Sequence, residues 1–64
     1  MGSKRREEFD RILACRAALL RRAGLTSREI ATHLEIRVES VKGRVTLGER
    51  LLDTDKYKHM GETK

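Results

Sequence analysis

The chain contains no proline and no tryptophan, and its 64 residues include a single cysteine, Cys15. Without proline, nothing in the chain forbids long, uninterrupted helices. One cysteine excludes an internal disulfide and fits either a reducing compartment or a buried, inert thiol. Phe9 and Tyr57 are the only aromatic residues. That argues against a stacking platform for RNA or single-stranded nucleic acid, which relies on several exposed rings. No apolar run approaches the roughly 20 residues that cross a bilayer. The N-terminal MGSKRREE is charged and lacks an apolar signal core. A cytoplasmic protein without membrane contact is therefore expected.

Reactive constellations are missing as well. His33 and His59 stand far apart, and Cys15 has no second ligand at metal spacing. There is no glycine-rich phosphate loop and no convincing carboxylate pair. The expectation is a binding protein rather than an enzyme, with no metal and no cofactor.

What remains is a small basic chain. Its 15 Lys+Arg against 10 Asp+Glu give a net charge of +5, which suits a polyanionic partner, most often nucleic acid. There is room for one domain. A core of this size supplies stability of about 3–5 kcal/mol unless something staples it. With disulfides excluded, homodimerisation is the remaining common staple.

Alternating strand patterns are absent, and the pattern predicts an all-α chain of three helices over about 6–23, 27–34 and 37–52. A flexible basic N-terminus (1–5) precedes them and a flexible C-terminal tail (53–64) follows. In the first helix, Phe9, Ile12, Leu13, Leu19, Leu20 and Ala23 gather on one side at about 100° per residue, and that side is expected to face the core. Arg16 falls inside this apolar arc. A bare buried guanidinium is costly, so Arg16 must snorkel past Phe9 and Leu20, pair with Glu29 or Glu39, or face a partner. Gly24 suits the positive φ of a helix C-terminus. Thr26-Ser27-Arg28-Glu29 matches a capping box that opens the second helix. The third helix has an expected inward row of Val38, Val41, Val45, Gly48 and Leu52, which Leu47 and Leu51 widen. That stripe is wide enough to cover the first helix and leave some for a second copy. The tail after Leu52 lacks periodicity, and packing of Tyr57 and Met60 is its minority reading.

The stretch Gly24 to Leu47, GLTSREIATHLEIRVESVKGRVTL, has the spacing of two helices joined by a tight turn, as in a helix-turn-helix. Ile30, Ala31 and Leu34 share a face, Ile36 plugs the turn, and Val41 and Val45 point back inward. Arg37, Glu39, Ser40, Lys42, Arg44 and Thr46 fill the positions between. Lys42 and Arg44 suit phosphates or guanine edges. Glu39 suits a cytosine amino group, or an ion pair with Arg44 or Arg16. Gly43 permits close approach to a groove, close packing, or neither, at about 1 kcal/mol relative to alanine. Lys4, Arg5 and Arg6 form a basic arm or a frayed end.

The run GLTSREIATHLEI…SVKGRV resembles the C-terminal domains of LuxR-type response regulators and the related sigma-factor region 4, with their "EIA..L.I...TVK" pattern. The likeness spans about residues 24–47. It implies that the second helix of the pair enters the major groove. By position, Lys42, Gly43 and Thr46 then face bases, while Ser27, Arg28, Arg37, Ser40 and Arg44 face phosphates. Two positions depart from the pattern. Glu35 stands where the turn usually has a glycine or another tolerant residue, and Arg37 stands where a Ser or Thr cap is usual. The expected function is sequence-specific binding of double-stranded DNA by a small transcriptional regulator, with phage, plasmid or accessory bacterial origin suggested by size alone. The rival reading is a protein-docking module for RNA polymerase or another regulator.

Overall fold

The computed structural model describes the backbone of residues 3–61 and the side chains of residues 7–61. Within it are three α-helices, α1 (Ser3–Arg22), α2 (Ser27–Leu34) and α3 (Val38–Leu52), followed by a 3-10 turn at Lys58–Gly61. The described residues contain no strand, as the all-α reading expects. α1 starts earlier than position 6, at Ser3. Lys and Arg are good helix formers, and no cap residue marks a start at position 6. The side chains of Lys4, Arg5 and Arg6 lie outside the described ones.

The same termination motif closes α1 and α2. At the end of α1, Gly24 takes φ 101. The Leu25 N–H donates to the Leu20 carbonyl at 3.1 Å, and the Gly24 N–H donates to Arg21 at 3.0 Å. At the end of α2, Glu35 takes φ 58. The Ile36 N–H donates to the Ala31 carbonyl at 3.0 Å, and the Glu35 N–H donates to Thr32 at 3.3 Å. This is the Schellman pattern, in which an apolar residue after the left-handed position closes onto the last turn. Leu25 and Ile36 duly pack on the cluster formed by Ala17, Ile30, Ala31 and Val41. Glu35 therefore adopts the left-handed conformation that the usual glycine would take, against a cost of roughly 1–2 kcal/mol for a residue with a Cβ. Ile36 sealing the turn offsets that cost. α2 opens on the expected capping box: Thr26 Oγ1 accepts from the Glu29 N–H at 3.2 Å, and Glu29 Oε1 accepts from the Thr26 N–H at 2.8 Å.

α1 is rotated from its expected orientation. Its fully buried residues are Ala14, Cys15, Ala17 and Ala18, whereas Phe9 is 61% exposed, Ala23 is exposed, and Ile12, Leu13, Leu19 and Leu20 are half-buried. The reason is the crossing with α3. Gly48 has no side chain, and a Cβ built there would overlap the Ala14 carbonyl and come within 2.9 Å of the Ala18 Cβ. Backbones this close leave room only for small residues between them, so the alanine side of α1 wins the central position. Of the larger residues, Phe9 is turned outward, while Ile12, Leu19 and Leu20 pack on the rims of the core clusters. Arg16 turns outward with Phe9 and is exposed; it needs neither burial nor a carboxylate from Glu29 or Glu39. On α3, Val41, Gly48 and Leu52 are buried as expected, but Val38 is 45% and Leu47 42% exposed.

The tail also departs from expectation. Tyr57 is 5% exposed and joins Cys15, Ala18 and Leu52 in a core cluster, with Ile12, Leu19, Leu51 and Met60 packed around it. The Tyr57 hydroxyl donates to Glu8 Oε2 at 3.1 Å, and Lys56 Nζ donates to Glu8 Oε1 at 3.5 Å. Small side chains on α1 leave space that a ring from the tail fills. Two apolar residues, Tyr57 and Met60, suffice for this and leave no periodic signature. Residues 53–61 are thus part of the domain, and residues 62–64 lie outside the described ones. Burial also pushes the Cys15 thiol pKa up, in keeping with an inert cysteine.

Candidate nucleic-acid interface

α3 lies against α1 on its Gly48 side and presents the opposite side to solvent. Glu39, Lys42, Gly43, Thr46, Leu47 and Arg50 line one open concave face there. Glu39, Gly43, Thr46 and Arg50 recur at spacings of four, three and four, which keeps them on one side of a helix. Lys42, Gly43 and Thr46, the expected base-facing positions, are thus brought together, and Ser40 is exposed beside them. Thr46 Oγ1 donates to the Lys42 carbonyl at 3.1 Å. Its hydroxyl proton is occupied, so its methyl and oxygen lone pairs are what it offers outward. Nothing lies within 4 Å of a Cβ built on Gly43, so packing inside the domain does not require that glycine.

The candidate phosphate positions flank this face. Arg28 and Arg37 are exposed and Ser27 is half-buried, with Arg21 Nη2 donating to Ser27 Oγ at 3.3 Å. Arg37 is the N-cap of α3 but makes no side-chain capping bond. The first-turn N–H groups of α3 are therefore uncapped by that residue, unlike those of α2, and such N–H groups attract anions.

Arg44 does not belong to the open face. It is half-buried, and its Nε is fully buried without a hydrogen-bond partner. Arg44 precedes Gly48 by one turn, which puts it at the margin of the helix crossing instead of on the outer side. The ion pair of Glu39 with Arg44 or Arg16 does not form. The pairs among the described residues join Arg11 to Glu7 and Glu8, Arg22 to Glu49, and Lys56 to Glu8. Arg22 Nε donates to Glu49 Oε2 at 3.2 Å, and this bond raises the Arg22 pKa.

Leu47 and Arg50 are members of the face that the sequence reading did not assign to it. Arg50 was readable from the spacing, since it follows Thr46 by one turn. Leu47, as a leucine, reads in the sequence as part of the apolar stripe. Among the described residues no cluster of His, Cys, Asp and Glu suits a metal, and no helix is long and apolar enough to cross a membrane. No protein-family model matches the chain, and no curated protein or solved structure matches it either.

Proposed function

We propose that this protein binds double-stranded DNA sequence-specifically as a small cytoplasmic transcriptional regulator, acting through binding and not catalysis. The observation that carries the reading is the open side of α3. A helix held from behind by Gly48, Val41 and Leu52 projects Glu39, Lys42, Gly43, Thr46, Leu47 and Arg50 away from the domain. A major groove admits such a helix. In this reading Lys42 and Arg50 address guanine edges or phosphates, Glu39 accepts from a cytosine amino group, and Leu47 and the Thr46 methyl meet thymine methyls. Arg28, Arg37, Ser27, Ser40 and the uncapped start of α3 hold phosphates. Two copies would read a pseudo-palindrome with half-sites about 34 Å apart.

Fluorescence anisotropy of a labelled duplex, titrated across a salt series, tests this. The expected result is binding that weakens with salt at a log–log slope of about −0.9 per phosphate contacted, and that Lys42→Glu abolishes without changing the helical circular dichroism. No binding at low salt by folded protein overturns the reading. The exposure of Leu47 at 42% favours one alternative, docking of the same face on a protein such as RNA polymerase or another regulator. Lys42→Glu binding DNA as well as the parent would move α3 to that role.

A further inference from the structure

We infer that the groove between α1 and the last turn of α2 is a binding site for a small carboxylate that carries one aromatic ring. The inference goes beyond the DNA-binding reading and does not rest on it. The groove has a volume of about 240 Å³ and is lined by Arg16, Leu19 and Leu20 of α1 and by His33 and Leu34 of α2. Arg16 lies one helical turn before Leu19 and Leu20, so the three share one face of α1. Arg16 and His33 are exposed, whereas Leu19, Leu20 and Leu34 are half-buried. The groove therefore has an apolar floor, with two nitrogen-bearing side chains at its edge.

Core packing fixes that floor. Leu19 packs on the cluster of Cys15, Ala18, Leu52 and Tyr57. Leu20 and Leu34 pack on the cluster of Ala17, Ile30, Ala31 and Val41. Each leucine is held by the core and lines the groove with the surface that remains. A floor pinned in this way exists before anything binds, which spares a ligand the cost of ordering it. A cavity of about 150 Å³ accepts benzene, so the groove has room for one ring and a short acid arm. It falls below the roughly 300 Å³ at which pockets for drug-sized ligands begin.

Charge decides the rest of the ligand. Among the described residues no carboxylate pairs with Arg16 or His33; the ion pairs there involve Arg11, Arg22 and Lys56. Glu29 lines the neighbouring concavity with Arg28 and His33, and its carboxylate is held by the Thr26 N–H. The guanidinium fork matches the two oxygens of a carboxylate. His33 has a ring N–H to donate in either protonation state. The apolar floor beside them lowers the local dielectric and strengthens such a contact. A ring over Leu19, Leu20 and Leu34, with its carboxylate at Arg16 and His33, satisfies floor and edge together. Phosphate would satisfy the edge alone, and an uncharged ring the floor alone.

Amide NMR titration of the full chain with phenylacetate, phenylethanol and inorganic phosphate tests this. The expected result is saturable phenylacetate binding with a Kd of about 1 mM, with the shifts centred on Arg16, Leu20, His33 and Leu34. Phenylethanol and phosphate should each bind about tenfold more weakly or worse, as loss of a charged hydrogen bond or of the apolar contact requires. Arg16 is exposed, so the fold survives Arg16→Gln. That variant should bind phenylacetate about tenfold more weakly and phenylethanol as the parent does. No saturable binding by the parent at about 10 mM overturns the inference. Phenylethanol or phosphate binding as tightly as phenylacetate also overturns it, as does an Arg16→Gln variant with the parent's affinity. Parent protein that binds phenylacetate but no duplex DNA would overturn the DNA reading and leave this site standing; the opposite result would do the reverse.

Discussion

Gly43 and Gly48 lie little more than a turn apart on α3 and have opposite surroundings. A Cβ at Gly48 would run into the Ala14 carbonyl and Ala18, while a Cβ at Gly43 would meet nothing within 4 Å. Both residues lower the intrinsic helix stability by the same amount. At Gly48 the loss is offset by the close approach of two backbones. At Gly43 no neighbour within the domain requires the missing side chain, and the DNA-binding reading proposed above would use that open space for close approach to a groove. One side of α3 is therefore specified by packing, and the other is left free of it.

The largest expected effect comes from erasing the packed side. Gly48→Ala should push α1 from α3 and cost about 3 kcal/mol, since overpacking of 1–3 kcal/mol or more is usual even without a backbone collision. Urea denaturation measures this, and a midpoint within error of the parent would mean the crossing is looser than described. Next is the tail that completes the packed side. Tyr57→Ala should cost about 3 kcal/mol, as buried aromatic truncations do, and a truncation after Asp53 should behave alike. Unchanged thermal stability in either variant would return the tail to a spectator.

Smaller effects of opposite sign sharpen the contrast. Glu35→Gly relieves a left-handed non-glycine residue, and should stabilise by about 1 kcal/mol, or roughly 4–8 °C in a domain of this size. Gly43→Ala should stabilise by about 1 kcal/mol or less while weakening duplex binding. A stabilised variant whose DNA affinity is unchanged would show that no groove approaches Gly43.

Local chemistry made much of this domain legible. The Thr26–Glu29 capping box, the left-handed Gly24 and the second-helix bounds Ser27–Leu34 depend on neighbours in the chain, so the residues alone predict them. The exposed placements of Lys42, Gly43 and Thr46 follow from helical periodicity once Val41 and Gly48 point inward. The facing of α1 was not legible in this way. Periodicity locates its apolar stripe of Phe9, Ile12, Leu13, Leu19 and Leu20, but a helix with large residues on one side and Ala14, Ala17 and Ala18 on another has two sides that can be buried. The choice belongs to Gly48 on α3, because close backbone approach admits the alanines and excludes the leucines. That choice in turn exposes Arg16 and Phe9, moves Arg44 to the margin of the crossing, and opens the space that Tyr57 fills from a segment with no pattern of its own. Sequence determined where α2 begins and where α1 and α2 end, since those are decided within a few residues; tertiary structure decided which sides meet, since that depends on the volume left between helices distant in the chain.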